Sequence, residues 1–93
     1  MEEYYSSLEA CGNRYKVLAE QSYMFTPVPS NEIKALVEFV DEFLQGCADR
    51  LPLMKLNRWL GYIQGTLIAW NMTTVQTERD WTRPLFRPLD FKE

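Results

Sequence analysis

Apolar residues return at alternating steps of four and three in three separate stretches of the chain. Ile33, Val37, Val40, Leu44, Cys47 and Leu51 form one seam; Leu53, Leu56, Leu60, Ile63, Leu67 and Trp70 form a second; Tyr4, Leu8, Cys11, Tyr15 and Leu18 form a third. Positions three and four apart lie on one face of an α-helix, so each seam marks a helix that buries one side. Leu36 and Phe43 widen the first stripe toward a globular face, and Glu38, Asp41 and Glu42 occupy its outer side. Only Pro52 separates the first two seams. So short a connection makes the two helices antiparallel neighbours, a helical hairpin.

The third seam predicts an N-terminal helix over 3–23. Gly12 lies in its middle, at a cost of about 1 kcal/mol relative to alanine. Residues 26–30, TPVPS, then form a turn, because Pro27 and Pro29 forbid helix continuation. Ser30 or Asn31 is placed to cap the second helix, 31–50, by accepting from its unpaired first-turn amides. The third helix covers 53–71, with Asn71 suited to its C-terminus. Thr73 and Gln76 have capping-box spacing, which starts a short fourth helix over 74–82. The residue before a proline is biased out of the α region, so Arg83-Pro84 ends that helix.

The remainder, 83–93, reads as an extended arm in which Arg-Pro-Leu occurs twice, at 83–85 and 87–89. Proline pre-sets an extended conformation, so such an arm loses little entropy on docking. Leu85, Phe86, Leu89 and Phe91 carry too much apolar surface to stay in water. The arm is expected to lie across the hairpin or a second subunit, holding Arg83 and Arg87 at a fixed spacing. With no β-hairpin turn and no long-period repeat, the fold class is all-α, one helical domain over 1–93.

Composition supports a folded chain: 46% of residues are hydrophobic and 14% aromatic. A core of this size is small, and self-association is a common remedy, so a homo-oligomer is expected. The net charge of −3 is uneven, with −5 on residues 1–50 and +2 on residues 51–93. The acidic total disfavours nonspecific nucleic-acid binding, which needs many phosphate contacts. Cys11 and Cys47 are far apart and read as buried, reduced thiols of a cytosolic protein. The start, MEEYYSS, is acidic and has no apolar run, so no secretory signal is expected. The most apolar stretch is interrupted by Arg58 and Gln64 and is too short and polar for a membrane span.

Histidine is absent. That removes Ser-His and Cys-His nucleophile pairs, and two cysteines are too few for zinc. Adjacent carboxylates such as Glu2 and Glu3 point apart on a helix, and no glycine-rich phosphate loop occurs. The chain is therefore expected to be a binding protein, not an enzyme, with no catalytic residue, metal or cofactor. Gly61 and Gly65, in GYIQG, leave a shallow groove where another backbone can pack closely. Arg58, Trp59 and Tyr62 lie beside it; Trp81, Arg83 and Arg87 come from the fourth helix and arm. Arginine recognises phosphate and carboxylate in bidentate fashion, and aromatic faces stack on bases. Together these six residues form a candidate ligand or partner site. The alternative is that the tryptophans are core and the arginines pair with Glu78, Asp80 or the acidic second helix. A helix-turn-helix DNA reader near 56–83 is a further alternative, disfavoured by Glu78 and Asp80 on its would-be recognition helix.

LNRWLGYIQGTL and the following TTVQTERDWTRPLF, residues 56–86, resemble a segment of small uncharacterised accessory proteins of tailed bacteriophages. The resemblance covers about a third of the chain and carries no catalytic residue. It implies a bacterial host cytoplasm and a role in binding. Two readings follow: an oligomeric inhibitor that blocks a host defence protein, or an oligomeric sponge for an anionic cyclic nucleotide. Convergence of the arginines on one pocket would favour the sponge, and their dispersal the inhibitor.

Overall fold

Three helices begin within two residues of where the apolar spacing puts them, and the fourth runs much further than expected. The structure, a computed structural model, describes residues 2–90. Its elements are α1 (Glu2–Phe25), α2 (Ser30–Ala48), α3 (Leu53–Ala69) and α4 (Val75–Asp90), with no strand among the described residues. The helices run alternately up and down. Lys16 reaches Asp41 and Arg50 reaches Glu2 across the antiparallel α1–α2 pair. Arg14 reaches Glu78, and Ser7 donates to the Leu85 carbonyl, across the antiparallel α1–α4 pair. Helix α1 is central: it packs most extensively on α2 and also against α3 and α4.

The core comes from Tyr5, Leu8, Cys11, Tyr15 and Ala19 of α1, Leu36, Val40, Phe43 and Cys47 of α2, and Leu56, Leu60, Ile63 and Leu67 of α3. The α3 seam is the one expected. In α2 the buried stripe is Ile33, Leu36, Val40, Phe43 and Cys47, while Val37 and Leu44 flank it half-buried. In α1 the stripe drifts, with Tyr5 and Ala19 in the core and Tyr4 and Leu18 at its edge. Gly12 is there because α2 is close: a Cβ on it would lie 2.5 Å from Leu44 Cδ2 and 3.1 Å from Phe43 Cδ2. Both cysteines are buried and unpaired, and burial raises the Cys11 thiol to about 12 and the Cys47 thiol to about 11. No helix among the described residues is long and apolar enough to cross a membrane.

Helices α2 and α3 end in the same way. Arg50 and Asn71 adopt the left-handed conformation, φ 58° and 61°. Leu51 N then donates to Gly46 O and Met72 N to Leu67 O, both at 3.0 Å, which closes a Schellman turn over otherwise unpaired carbonyls. Asn71 is thus a helix terminator as its identity suggested. The N-caps differ from expectation. Pro29, not Ser30 or Asn31, precedes α2, and no side chain caps it. At α4 the capping hydroxyl is one residue later than expected: Thr74 Oγ1 accepts from Thr77 N at 3.1 Å.

The extended arm is the main correction. Residues 83–90 are the second half of α4. Proline's fixed φ is a helical value, so its penalty lies in the missing N–H and the clash with the carbonyl four residues back. The carbonyls deprived by Pro84 and Pro88 belong to Asp80 and Pro84, both exposed residues that water can serve. The opposite face is held from α1: the Phe86 ring lies 5.1 Å from that of Tyr4, and Ser7 Oγ is 3.2 Å from Leu85 O. Leu85, Phe86 and Leu89 are half-buried. The apolar residues do dock, as expected, but on their own chain and as a helix. Phe91 lies outside the described residues.

Candidate functional site

The six residues singled out in the sequence divide into two groups on different elements. Arg58, Trp59 and Tyr62 are on α3. Trp59 lies 5.5 Å from Phe39 of α2, tilted by 55°, and Tyr62 meets the same ring edge-on at 5.3 Å and 82°. Phe39 is thus the hinge of an aromatic edge between the two hairpin helices. Lys55 stacks at its near end, Nζ 5.3 Å from the Trp59 ring centre. Arg58 is exposed one turn before Tyr62. Tyr62 is 61% exposed although its ring packs on Phe39.

Trp81, Arg83 and Arg87 are on α4, against α1. Arg14 of α1 stacks on Trp81 at 4.9 Å. Arg83 and Arg87 are exposed, in line with Arg79 at four-residue spacing. Of two pockets among the described residues, one is lined by no arginine and the other by Arg79 as its one arginine. The glycine groove is also not used within the chain: a Cβ at Gly61 or Gly65 would find nothing within 4 Å. Close packing falls instead to Gly12 and Gly46. Alanine at position 61 or 65 is accordingly expected to raise stability by about 1 kcal/mol each. Urea denaturation of Gly61→Ala and Gly65→Ala measures it, and a loss of stability would show that the groove is occupied.

Beyond Tyr62 the edge opens into a pocket of about 270 Å³ lined by Glu32, Ala35, Leu36, Tyr62, Thr66 and Trp70. Antiparallel packing places it there, since the first turns of α2 face the last turns of α3. Thr66 Oγ1 donates its proton to the Tyr62 carbonyl at 2.8 Å. Glu32 is exposed at the rim.

A polar cluster forms around Glu78, which the sequence offered as an arginine's partner without pointing to Arg14. Glu78, in the first turn of α4, is buried and gathers donors from two other segments. Arg14 Nη2 is 2.8 Å and Nε 3.4 Å from its two oxygens, and the Tyr15 hydroxyl donates at 2.5 Å. Thr73 Oγ1 donates as well. Gln64 of α3 donates to the Tyr15 oxygen at 2.8 Å, so one carboxylate ties together α1, α3 and α4. Burial opposes ionisation of Glu78, but the hydrogen bonds from Arg14, Thr73 and Tyr15 outweigh it and hold the carboxyl below its usual range. Burial, then the bond to Glu78, pushes the Tyr15 phenol well above its ordinary value. Among the described residues no buried side-chain N or O lacks a partner. This cluster is saturated by its own members and works as a staple. Its sequence signals were Gln64, which interrupts the apolar run of α3, and Glu78 as a partner for arginine.

No group of three or more acidic or cysteine side chains is placed to hold a metal among the described residues. Comparison of the chain with protein-family models, curated proteins and solved structures finds no match. The functional reading therefore rests on geometry.

Proposed function

We propose that the protein acts by binding another protein and occluding it, through the α2–α3 edge that carries Phe39, Trp59, Tyr62 and Trp70. One observation carries this reading: Tyr62 is largely exposed yet held edge-on against Phe39. A large aromatic already fixed in place loses little freedom on binding, and tyrosine and tryptophan dominate the energetics of protein interfaces. Neither of these two pockets gathers two arginines, which supports an inhibitor over a nucleotide sponge. Arg14 is engaged with Glu78 and Arg50 with Glu2, Arg58 stands on α3, and Arg79, Arg83 and Arg87 line α4. The bacterial host target, such as a defence protein, is part of the proposal and comes from the sequence expectation for residues 56–86 alone.

Affinity capture from a bacterial lysate tests the reading. The partner bound by the wild type is lost with Tyr62→Ala and kept with Arg83→Glu/Arg87→Glu. The reverse pattern overturns it. Calorimetry against cyclic di- and trinucleotides is expected to show no binding, and binding that Arg83→Ala abolishes would establish the sponge instead.

A homo-oligomer belongs to the same proposal. The last turn of α1 leaves Met24 80% and Phe25 68% exposed, beside half-exposed Tyr23, and a second copy would cover them. Light scattering is expected to give a mass above the 11.0 kDa of one chain, returning to it with Met24→Glu/Phe25→Glu. A wild-type monomer would remove this part.

A further inference from the structure

The pocket between Tyr62 and Trp70 has a definite chemical preference. Its lining contains no lysine or arginine, and its one ionisable carboxylate is Glu32. The Thr66 hydroxyl has spent its proton on the Tyr62 carbonyl, so it offers the pocket lone pairs only. Two of the lining side chains, Tyr62 and Trp70, are aromatic, and aromatic rings attract cations. The first turn of α2 brings the positive end of a helix dipole, and the last turn of α3 brings a negative one; these opposed half-charges offset each other and leave the full charge of Glu32 to decide. An anion finds no charged donor there. A cation with N–H groups finds a carboxylate, a hydroxyl oxygen and two rings.

The same aromatic edge already holds a cation at its other end, where Lys55 stacks on Trp59. The chain's own lysine shows that an ammonium group on an alkyl stem suits this surface. The volume sets the size. Pockets for drug-sized ligands span about 300–1,000 Å³, and 270 Å³ suits one long side chain or a small alkyl cation.

We infer that the pocket formed by Glu32, Thr66, Tyr62 and Trp70 is a site for an alkylammonium or alkylguanidinium group, supplied by a lysine or arginine side chain of the bound protein. This rests on the protein-binding reading above and names the partner's chemistry. The alkyl stem lies along Ala35 and Leu36, the head group donates to Glu32 and Thr66, and the rings flank the charge.

The test uses the intact chain, with n-butylammonium and n-butylguanidinium as probes and n-butanol as the uncharged control. Binding is followed by NMR shifts of the Tyr62 and Trp70 ring protons. Both cations are expected to shift these signals saturably and butanol not to. Glu32→Gln is expected to weaken the cations about tenfold, the loss of one charge-assisted hydrogen bond. Equal response to butanol, or an unchanged affinity in Glu32→Gln, overturns the site. A lysine-containing tripeptide distinguishes the sources: binding as tight as butylammonium supports a protein side chain, whereas exclusion of the peptide overturns that assignment in favour of a free small cation. Failure here is separable from failure of the protein-binding reading. Partner capture kept in Glu32→Gln but lost in Tyr62→Ala sinks the cation site and leaves the aromatic edge standing.

Discussion

Replacing Glu78 by alanine is expected to lower folding stability by about 3 kcal/mol or more, the cost of removing one partner from a buried ion pair. The loss has several parts. Arg14, about a quarter exposed, keeps partial access to water and sets the value toward the lower end. Tyr15 has no such recourse: its hydroxyl is buried and would lose its acceptor. Thr73 loses its partner too, which loosens the turn into α4. Total stability for a domain of this length is on the order of 5–14 kcal/mol, so the change is large. Urea denaturation followed by circular dichroism measures it, and a change below about 1 kcal/mol would show that the cluster contributes little.

The same residue gives the acid response a sign. The Glu78 carboxyl is held below its ordinary value of 4.5 in the folded chain. A depressed folded pKa contributes stability that is complete above the unfolded pKa and is lost as the pH falls through the folded one. The wild type is therefore expected to lose stability below about pH 4.5 more steeply than Glu78→Gln, which cannot ionise. The Glu2–Arg50 pair shifts in the same direction but is solvent-exposed and contributes little. Parallel acid limbs for the two proteins would contradict the assignment.

Truncation after Thr82 carries the second large effect. It removes Leu85, Phe86 and Leu89, each half-buried, together with the Tyr4 ring contact and the Ser7 hydrogen bond. Full burial of one such side chain contributes about 1.5–3 kcal/mol, so three half-buried ones together contribute about 3. For a domain of this size that lowers Tm by roughly 15 °C. Helical ellipticity falls at the same time, because residues 83–90 are helix. An unchanged melting curve would mean that this half of α4 does not dock on α1.

What could be read from the sequence follows from how locally each feature is determined. The α3 seam from Leu56 to Leu67 was legible because one period describes both the pattern and the helix. The α2 stripe was shifted onto Leu36 and Phe43, since a helix with apolar residues at 36, 37, 43 and 44 leaves its exact facing to its neighbours. Asn71 announced the end of α3 by its tolerance of the left-handed conformation; Arg50 did the same work without announcing it. The failure at Pro84 and Pro88 has one cause. Local rules count the lost hydrogen bonds, while Tyr4 and Ser7, nearly eighty residues away in sequence, supply the contacts that outweigh them. The site divides in the same way. Trp59 and Tyr62 were found as neighbours on one helix, but their partner Phe39 is on another. Joining them to Trp81, Arg83 and Arg87 required a tail folded back along the hairpin, and α4 instead docks on α1. The Glu78 cluster needs three helices in register, which no spacing reveals.

Tyr62 and its neighbours on the α2–α3 edge are proposed to touch another protein. A photoreactive phenylalanine analogue substituted for Tyr62, and in a separate variant for Arg83, tests it inside bacterial cells. Position 62 is expected to cross-link one host protein on illumination and position 83 none. A cross-link from position 83 with none from position 62 would contradict the account and move the working surface to α4.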